Sequence, residues 1–276
     1  MTPAPDNSSP TNMPSTAEVL TPETRAKVSE LRQTEAPAFR LAALDPDFML
    51  GDSTRGVRFQ LEYAKAQEGM KAAHIRSTIV VFGSARVRED APGNRGRWYK
   101  EARTFGFIAS RRGGAMNEIG DGRFNVIATG GGPGIMEAAN RGASEAGAPT
   151  IGFNITLPHE QYPNPYTTPS LTFRFHYFAM RKMHLAMHAA ALVVFPGGFG
   201  TFDELFEIIT LRQTGKMSFC PIVLMDKAYW TRVINFEALV EEGFIRQEDL
   251  NLFDFAETAE GCWEILERKG LVAPAE

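Results

Sequence analysis

Asn125-Val126-Ile127-Ala128-Thr129-Gly130-Gly131-Gly132-Pro133-Gly134-Ile135-Met136-Glu137-Ala138-Ala139-Asn140 is the stretch on which the reading of the fold turns. Residues 125–128 are a short, apolar run without alternation, the pattern of a strand buried on both faces. A glycine cluster ends the run, and a segment with helical spacing follows it. The same succession recurs from residue 77 onward, with apolar runs at 78–82, 150–153, 191–195 and 222–225. Strands alternating with helices imply right-handed crossovers and a parallel sheet covered on both sides. The expected fold is therefore α/β: a Rossmann-like doubly wound parallel sheet with helices on both faces. In such sheets a ligand crevice lies beyond the carboxyl ends of the strands, where the strand order reverses.

Ahead of this pattern, residues 1–35 are polar and carry Pro3, Pro5, Pro10, Pro14 and Pro22. Such a segment buries too little apolar surface to offset the entropy of ordering. It is expected to be a disordered tail with a short helix at 17–31, and residues 36–276 a single Rossmann-like domain. Phe39, Leu41 and Leu44, then Val57, Phe59, Leu61, Tyr63 and Met70, sit among charges with breaks at Pro46 and Gly51. They predict extra N-terminal helices flanking the sheet.

Composition excludes several classes of function. The 276 residues include 29 Lys+Arg against 33 Asp+Glu, a net charge of −4, which gives no general drive towards nucleic acid. The two cysteines, Cys220 and Cys262, cannot make a disulfide framework or a cysteine-ligated zinc site, so two buried thiols in a reducing compartment are expected. Neither a secretory signal nor an apolar run of about 18 residues is present. The expectation is a cytoplasmic protein with no membrane partner.

The 25 glycines are unevenly placed, with none in residues 1–50 and twelve between Gly83 and Gly134. Three small-residue turns fall at strand ends: Gly83-Ser84-Ala85-Arg86, Gly130-Gly131-Gly132-Pro133-Gly134 and Pro196-Gly197-Gly198-Phe199-Gly200-Thr201. Each precedes a predicted helix, whose amino end offers unpaired N–H groups and partial positive charge to a phosphate. The dinucleotide pattern GxGxxG fails because Ile135 and Glu137 stand where its last glycine belongs, and GxxxxGK[ST] is absent. Hydride transfer and nucleoside triphosphate hydrolysis thereby lose their usual warrant.

The third turn runs into Thr201-Phe202-Asp203-Glu204. One reading is a capping box, with Thr201 as N-cap and Glu204 closing it. The other is that Glu204 faces the crevice, where it binds ribose hydroxyls or positions water. Upstream, His176-Tyr177-Phe178-Ala179-Met180-Arg181-Lys182-Met183-His184-Leu185-Ala186-Met187-His188 puts His184 and His188 on one helix face, as zinc ligands can be. HExxH is absent and no third ligand is near, so no metal is expected. Met180, Met183 and Met187 read as a packing face, and Gly106 as a glycine merely tolerated in a helix.

Residues 130–140, the Met180-Arg181-Lys182 triplet and residues 196–204 together resemble the Lonely Guy (LOG) family, whose signature PGGxGTxxE is met in full by Pro196 to Glu204. The resemblance covers residues 77–266. It implies a nucleotide-binding catalytic domain that hydrolyses the N-glycosidic bond of nucleoside 5′-monophosphates, cytokinin ribotides or AMP, to free base and ribose 5-phosphate, without a cofactor. It places phosphate and ribose against Gly197, Gly198, Gly200 and Thr201, with Gly83, Ser84, Gly131, Gly132 and Gly134 lining the same crevice. The family's catalytic arginine and glutamate map onto Arg181 and Glu204; Lys182, Thr210 and Glu160 resemble further substrate-contacting positions. Compact members carry a histidine just before the Arg-Lys pair, where this chain has Ala179 and Met180, so no histidine enters the mechanism. A homodimer is also implied.

The chemistry fits these residue types. Breaking a ribosyl C–N bond builds positive charge at C1′, which a carboxylate stabilises while orienting water. An arginine stays protonated and acts electrostatically. Members of the family were long labelled lysine decarboxylases, but pyridoxal chemistry needs a Schiff-base lysine, and Lys182 is the only lysine in these motifs. A general nucleotide nucleosidase of base salvage and a non-catalytic nucleotide-binding protein are the competing expectations.

Overall fold

The computed structural model describes residues 33, 36–157, 162–217 and 219–271. The expected tail and its short helix lie outside these. The chain divides into two compact units, with the division after Arg58. In the first unit, α1 (Pro46–Leu50) opens on Asp45, whose side chain accepts from the amides of Asp47 and Phe48 at 3.1 and 3.3 Å. Proline is well suited to the first helical position, so Pro46 starts this helix instead of breaking one. Gly51 ends it, and α2 (Arg55–Ala72) follows and continues past the division.

The second unit is built on a sheet whose described strands are β1 (Thr78–Phe82), β2 (Val126–Thr129), β3 (Ile151–Ile155), β4 (Thr172–Phe175), β5 (Ala189–Val194), β6 (Ile222–Met225) and β7 (Phe253–Ala256). All neighbours are parallel, in the order β4-β3-β2-β1-β5-β6-β7. The helices are α3 (Asn94–Arg112), α4 (Ile135–Glu145), α5 (Phe178–Met187), α6 (Phe199–Gln213), α7 (Lys227–Val233), α8 (Phe236–Glu241) and α9 (Ala259–Arg268). The expected Rossmann-like architecture, with helices on both faces, is what forms.

The continuous apolar runs arise because successive side chains enter two different cores. Ile79 and Val81 of β1 point into the core with Phe105, Ala139 and Trp263 of α3, α4 and α9. Val80 and Phe82 point into the core with Met70, Leu185, Leu205 and Trp230 of α2, α5, α6 and α7. With both sides buried, each strand reads as an apolar run instead of an alternation.

Two strands escape the sequence reading, and both are sheet edges. Thr172-Phe173-Arg174-Phe175 alternates, with Phe173 and Phe175 buried and Arg174 exposed, and in sequence it merges with the Phe- and Met-rich helical stretch that follows. That helix begins only at Phe178. Phe253-Asp254-Phe255-Ala256 is equally short. Gly106 is required, not merely tolerated: a Cβ there would run into the Ala139 carbonyl, where α3 and α4 cross closely. Gly106→Ala is therefore predicted to destabilise the protein by about 1–3 kcal/mol, the scale of overpacking, although alanine is the better helix former. Urea unfolding at equilibrium checks this.

Candidate active site

The strand order reverses between β1 and β5, and their carboxyl ends are stitched together. Phe195 N–H donates to the Phe82 carbonyl at 2.8 Å, and Ser84 N–H to the Pro196 carbonyl at 3.0 Å. Beyond this seam opens a crevice of about 950 Å³. Gly83, Ser84, Gly130, Met136, Arg181 and the first turn of α6 line it.

The amino end of α6 is capped by backbone alone. Gly198 is the N-cap, and its carbonyl accepts from the amides of Thr201 and Phe202 at 2.9 and 3.0 Å. The expected capping box does not form. Thr201 lies inside the first turn, 6% exposed and packed where a Cβ on Gly197 would stand, and Asp203 and Glu204 come after that turn. The leading N–H groups of the helix have no intrahelical acceptor, and Phe199 and Gly200 stand in the crevice wall. Neither Gly198 nor Gly200 has a φ in the left-handed range, and no atom lies within 4 Å of where their Cβ would be. Neither backbone strain nor packing asks for glycine there.

The 130–134 turn is braced from behind. Gly131 N–H donates to Thr129 Oγ1 at 2.9 Å, and Asn164 donates through its N–H to the Gly131 carbonyl at 2.8 Å and through Nδ2 to the Gly132 carbonyl at 3.1 Å. Gly134, at φ +75°, caps α4 and rests on Ser84 and Ala85. Gly131, Gly132 and Gly134 are thus buried behind Gly130, which itself faces the crevice.

Arg181 on α5 donates from Nη2 to Glu204 Oε1 on α6 at 3.0 Å. Glu204 is 3% exposed and sits beneath the arginine, which forms the crevice wall. Burial pushes the Glu204 carboxyl above the usual carboxylate range, even though the charge and hydrogen bond of Arg181 pull the other way. The Nε of Arg181 is buried with no hydrogen-bond partner among the described residues. Lys182 turns the other way, pairing with Asp203 at 2.9 Å and Glu207 at 3.2 Å. Burial works against its ammonium, but these two carboxylates outweigh it and raise its pKa. Lys182 and Thr210 line a separate groove along α6, and Thr210 Oγ1 is bound to the Phe206 carbonyl at 2.7 Å. Glu160 lies outside the described residues. His184 is buried among the rings of Tyr63, Phe153 and Phe175, with Nδ1 2.8 Å from the Met180 carbonyl. His188 falls beyond the end of α5, so the two histidines share no helix face.

One wall of the crevice carries no motif in the sequence. Trp98, Tyr229, Arg86, Arg95 and Arg232 line it. Asp226 follows β6 in the left-handed conformation, 5% exposed, and accepts from Trp98 Nε1 at 2.8 Å, Arg97 Nη2 at 2.9 Å and Tyr229 N–H at 3.0 Å. Burial opposes its charge, yet these donors hold its carboxyl below the usual range. Tyr229 OH in turn donates to the Gly197 carbonyl. The one sequence signal for this wall is Asp226 itself, a polar residue directly after the buried strand 222–225, where crevices form.

A family model described as "Possible lysine decarboxylase" matches residues 136–266. The chain is 29% identical over 167 residues to the probable cytokinin riboside 5′-monophosphate phosphoribohydrolase LOG4 of Oryza sativa subsp. japonica, covering 55% of this chain and 71% of that protein. It is 29% identical over 155 residues to cytokinin riboside 5′-monophosphate phosphoribohydrolase LOG3 of Arabidopsis thaliana, covering 55% and 70%. These matches support a place for the chain in the Lonely Guy family. Among solved structures, the X-ray structure of the structural-genomics target TM1055 shares the fold, with a TM-score of 0.50 and 22% identity over 70% of this chain and 99% of that one. The residues Gly197, Gly198, Gly200 and Thr201 meet Gly83, Ser84 and Arg181 around one crevice, with Glu204 directly below.

The raised pKa of Glu204 has a sign. Where the folded-state value exceeds the unfolded one, stability is fully present below the unfolded pKa and is lost as pH rises through the folded pKa. Glu204→Gln, which cannot ionise, is therefore predicted to gain stability relative to wild type as pH is raised from about 4 towards about 8. Urea midpoints of the two proteins across that range measure it.

Proposed function

We propose that this chain hydrolyses the N-glycosidic bond of nucleoside 5′-monophosphates, releasing a free base and ribose 5-phosphate, with AMP or a cytokinin ribotide as substrate. The observation that carries the reading is a sequestered carboxylate, Glu204, held under an arginine at the mouth of a glycine-lined helix terminus. The names of the relatives, phosphoribohydrolases of cytokinin riboside 5′-monophosphates, point the same way.

The phosphate sits on the leading amides of α6, where Gly198 and Gly200 leave room for it. Because the phosphate is remote from the breaking bond, its binding energy serves to fix C1′ over Glu204. Arg181 leaves part of its hold on Glu204 when the ligand enters, and its unpartnered Nε–H is a ready donor to the departing base. As the C–N bond breaks, its electron pair leaves with the base while positive charge grows on C1′ and the ring oxygen. Glu204 stabilises that charge and accepts a proton from the attacking water, whose oxygen bonds C1′; the anionic base takes up a proton from solvent and Glu204 gives its own back to solvent, so the protons balance. A carboxylate of raised pKa is a stronger base for this step. Lys182 is bound to Asp203 and Glu207 and stands outside the crevice wall, which weighs against a Schiff-base role.

A homodimer goes with this activity. Phe199, 92% exposed, and Phe178 form an apolar rim beside the crevice that a second subunit would cover. Among the described residues no helix is long and apolar enough to cross a membrane, and the location proposed is cytoplasmic. Incubation with AMP and with a cytokinin riboside 5′-monophosphate is predicted to release free base and ribose 5-phosphate, with unphosphorylated nucleosides reacting far more slowly. Glu204→Gln is predicted to lower kcat by about 100-fold or more while its circular dichroism is unchanged. Wild-type turnover in that variant would remove Glu204 from the mechanism.

A further inference from the structure

The crevice is chemically lopsided. The wall built by the β1–α3 connection, the first turn of α3 and α7 carries Arg86, Arg95 and Arg232. The wall built by α4, the end of β3 and α5 carries Met136, Ile155, Leu157 and Phe178. No aspartate or glutamate lines the crevice among the described residues. Arg181 is the cation on the apolar side, and Glu204 already holds it at 3.0 Å.

Arg95 and Arg232 have no carboxylate partner among the described residues, whereas Arg97 pairs with Asp226 at 2.9 Å and Glu257 at 3.7 Å. Their placement is set by the aromatic wall. Arg95 precedes Trp98 by three residues on α3 and Arg232 follows Tyr229 by three on α7, so each arginine shares a helix face with one ring. The rings meet edge to face at 5.7 Å, Asp226 accepts from the Trp98 indole N–H and the Tyr229 backbone N–H, and the Tyr229 hydroxyl is tied to Gly197 just before the amino end of α6. Asp226 sits at φ +70°, a left-handed conformation that aspartate adopts more readily than most residues, and three donors fix its carboxylate there.

We propose that Arg95 and Arg232 are the counter-charges for the substrate's 5′-phosphate, which sets the direction of the nucleotide in the crevice. The phosphate lies between the leading amides of α6 and the Arg95 and Arg232 side chains, the ribose crosses the glycine turns, and the base lies against Met136, Leu157 and Phe178, within reach of Arg181. This rests on the nucleotide hydrolase reading above and deepens it. Guanidinium groups pair with phosphate oxygens through two parallel N–H donors. The division of labour leaves Arg181 with Glu204 and the leaving base instead of the phosphate, and gives the base an apolar wall able to take apolar substituents.

The test is calorimetric titration of the full chain with ribose 5-phosphate, which needs no turnover. The Arg95→Ala/Arg232→Ala double variant is predicted to bind at least about tenfold more weakly than wild type, and the corresponding double lysine variant to fall between them. Lys100→Ala, which removes one positive charge on α3 outside the crevice lining, is predicted to change affinity less than about twofold. Equal binding by wild type and the double alanine variant would overturn the assignment, as would a wild type that fails to bind ribose 5-phosphate. AMP turnover by the wild type is scored separately. If it is absent while the arginine variants still lose affinity, the phosphate assignment stands and the hydrolase reading falls.

Discussion

A carboxylate removed from water is stable only against a cation that shares its burial, and in this protein Glu204 and Arg181 make that pair at 3.0 Å. Removing Arg181 while Glu204 stays ionised would leave a buried carboxylate without its cation, at a cost of about 3–5 kcal/mol. The pair also joins α5 to α6, and the outward contacts of Lys182 with Asp203 and Glu207 repeat the link one residue along. The amino end of α6 is thereby held over the seam between β1 and β5. Everything that lines the crevice is referred to that position.

The second anchor is Asp226 on the opposite side of the seam. It is likewise a nearly buried carboxylate, but its donors outweigh its desolvation and its pKa falls, while that of Glu204 rises. Two carboxylates at one crevice thus occupy opposite regimes. Asp226 stays ionised as a fixed acceptor that organises Trp98, Arg97 and Tyr229. Glu204 is the basic one, suited to taking a proton. Environments that push two titratable groups apart in this way separate a structural from a chemical role.

Much of this is legible in the chain. The interior strands β1, β2, β3, β5 and β6 are buried on both faces, so continuous apolar runs betray them. The edge strands β4 and β7 are only four residues long, and nothing separates Phe173 and Phe175 from a helix face until the pairing with β3 is known. The glycine turns are visible as sequence, but their division is not. Gly131 and Gly134 are needed for the turn's own conformation and close packing, while Gly198 and Gly200 face open space that only the fold reveals. The capping box expected of Thr201 fails because a motif cannot say where a helix starts. Arg95, Trp98, Tyr229 and Arg232 are illegible for a different reason: they come from two distant segments of chain, joined through Asp226 at 128 and 129 residues' separation.

Where the nucleotide lies relative to Glu204 decides the chemistry. The most direct measurement is a crystal structure of the Glu204→Gln protein holding intact AMP. The predicted result has the phosphate on the amides of Gly198, Phe199 and Gly200 and C1′ facing the substituted side chain beside Arg181. A nucleotide bound away from the amino end of α6, or with C1′ turned from that side chain, would contradict it.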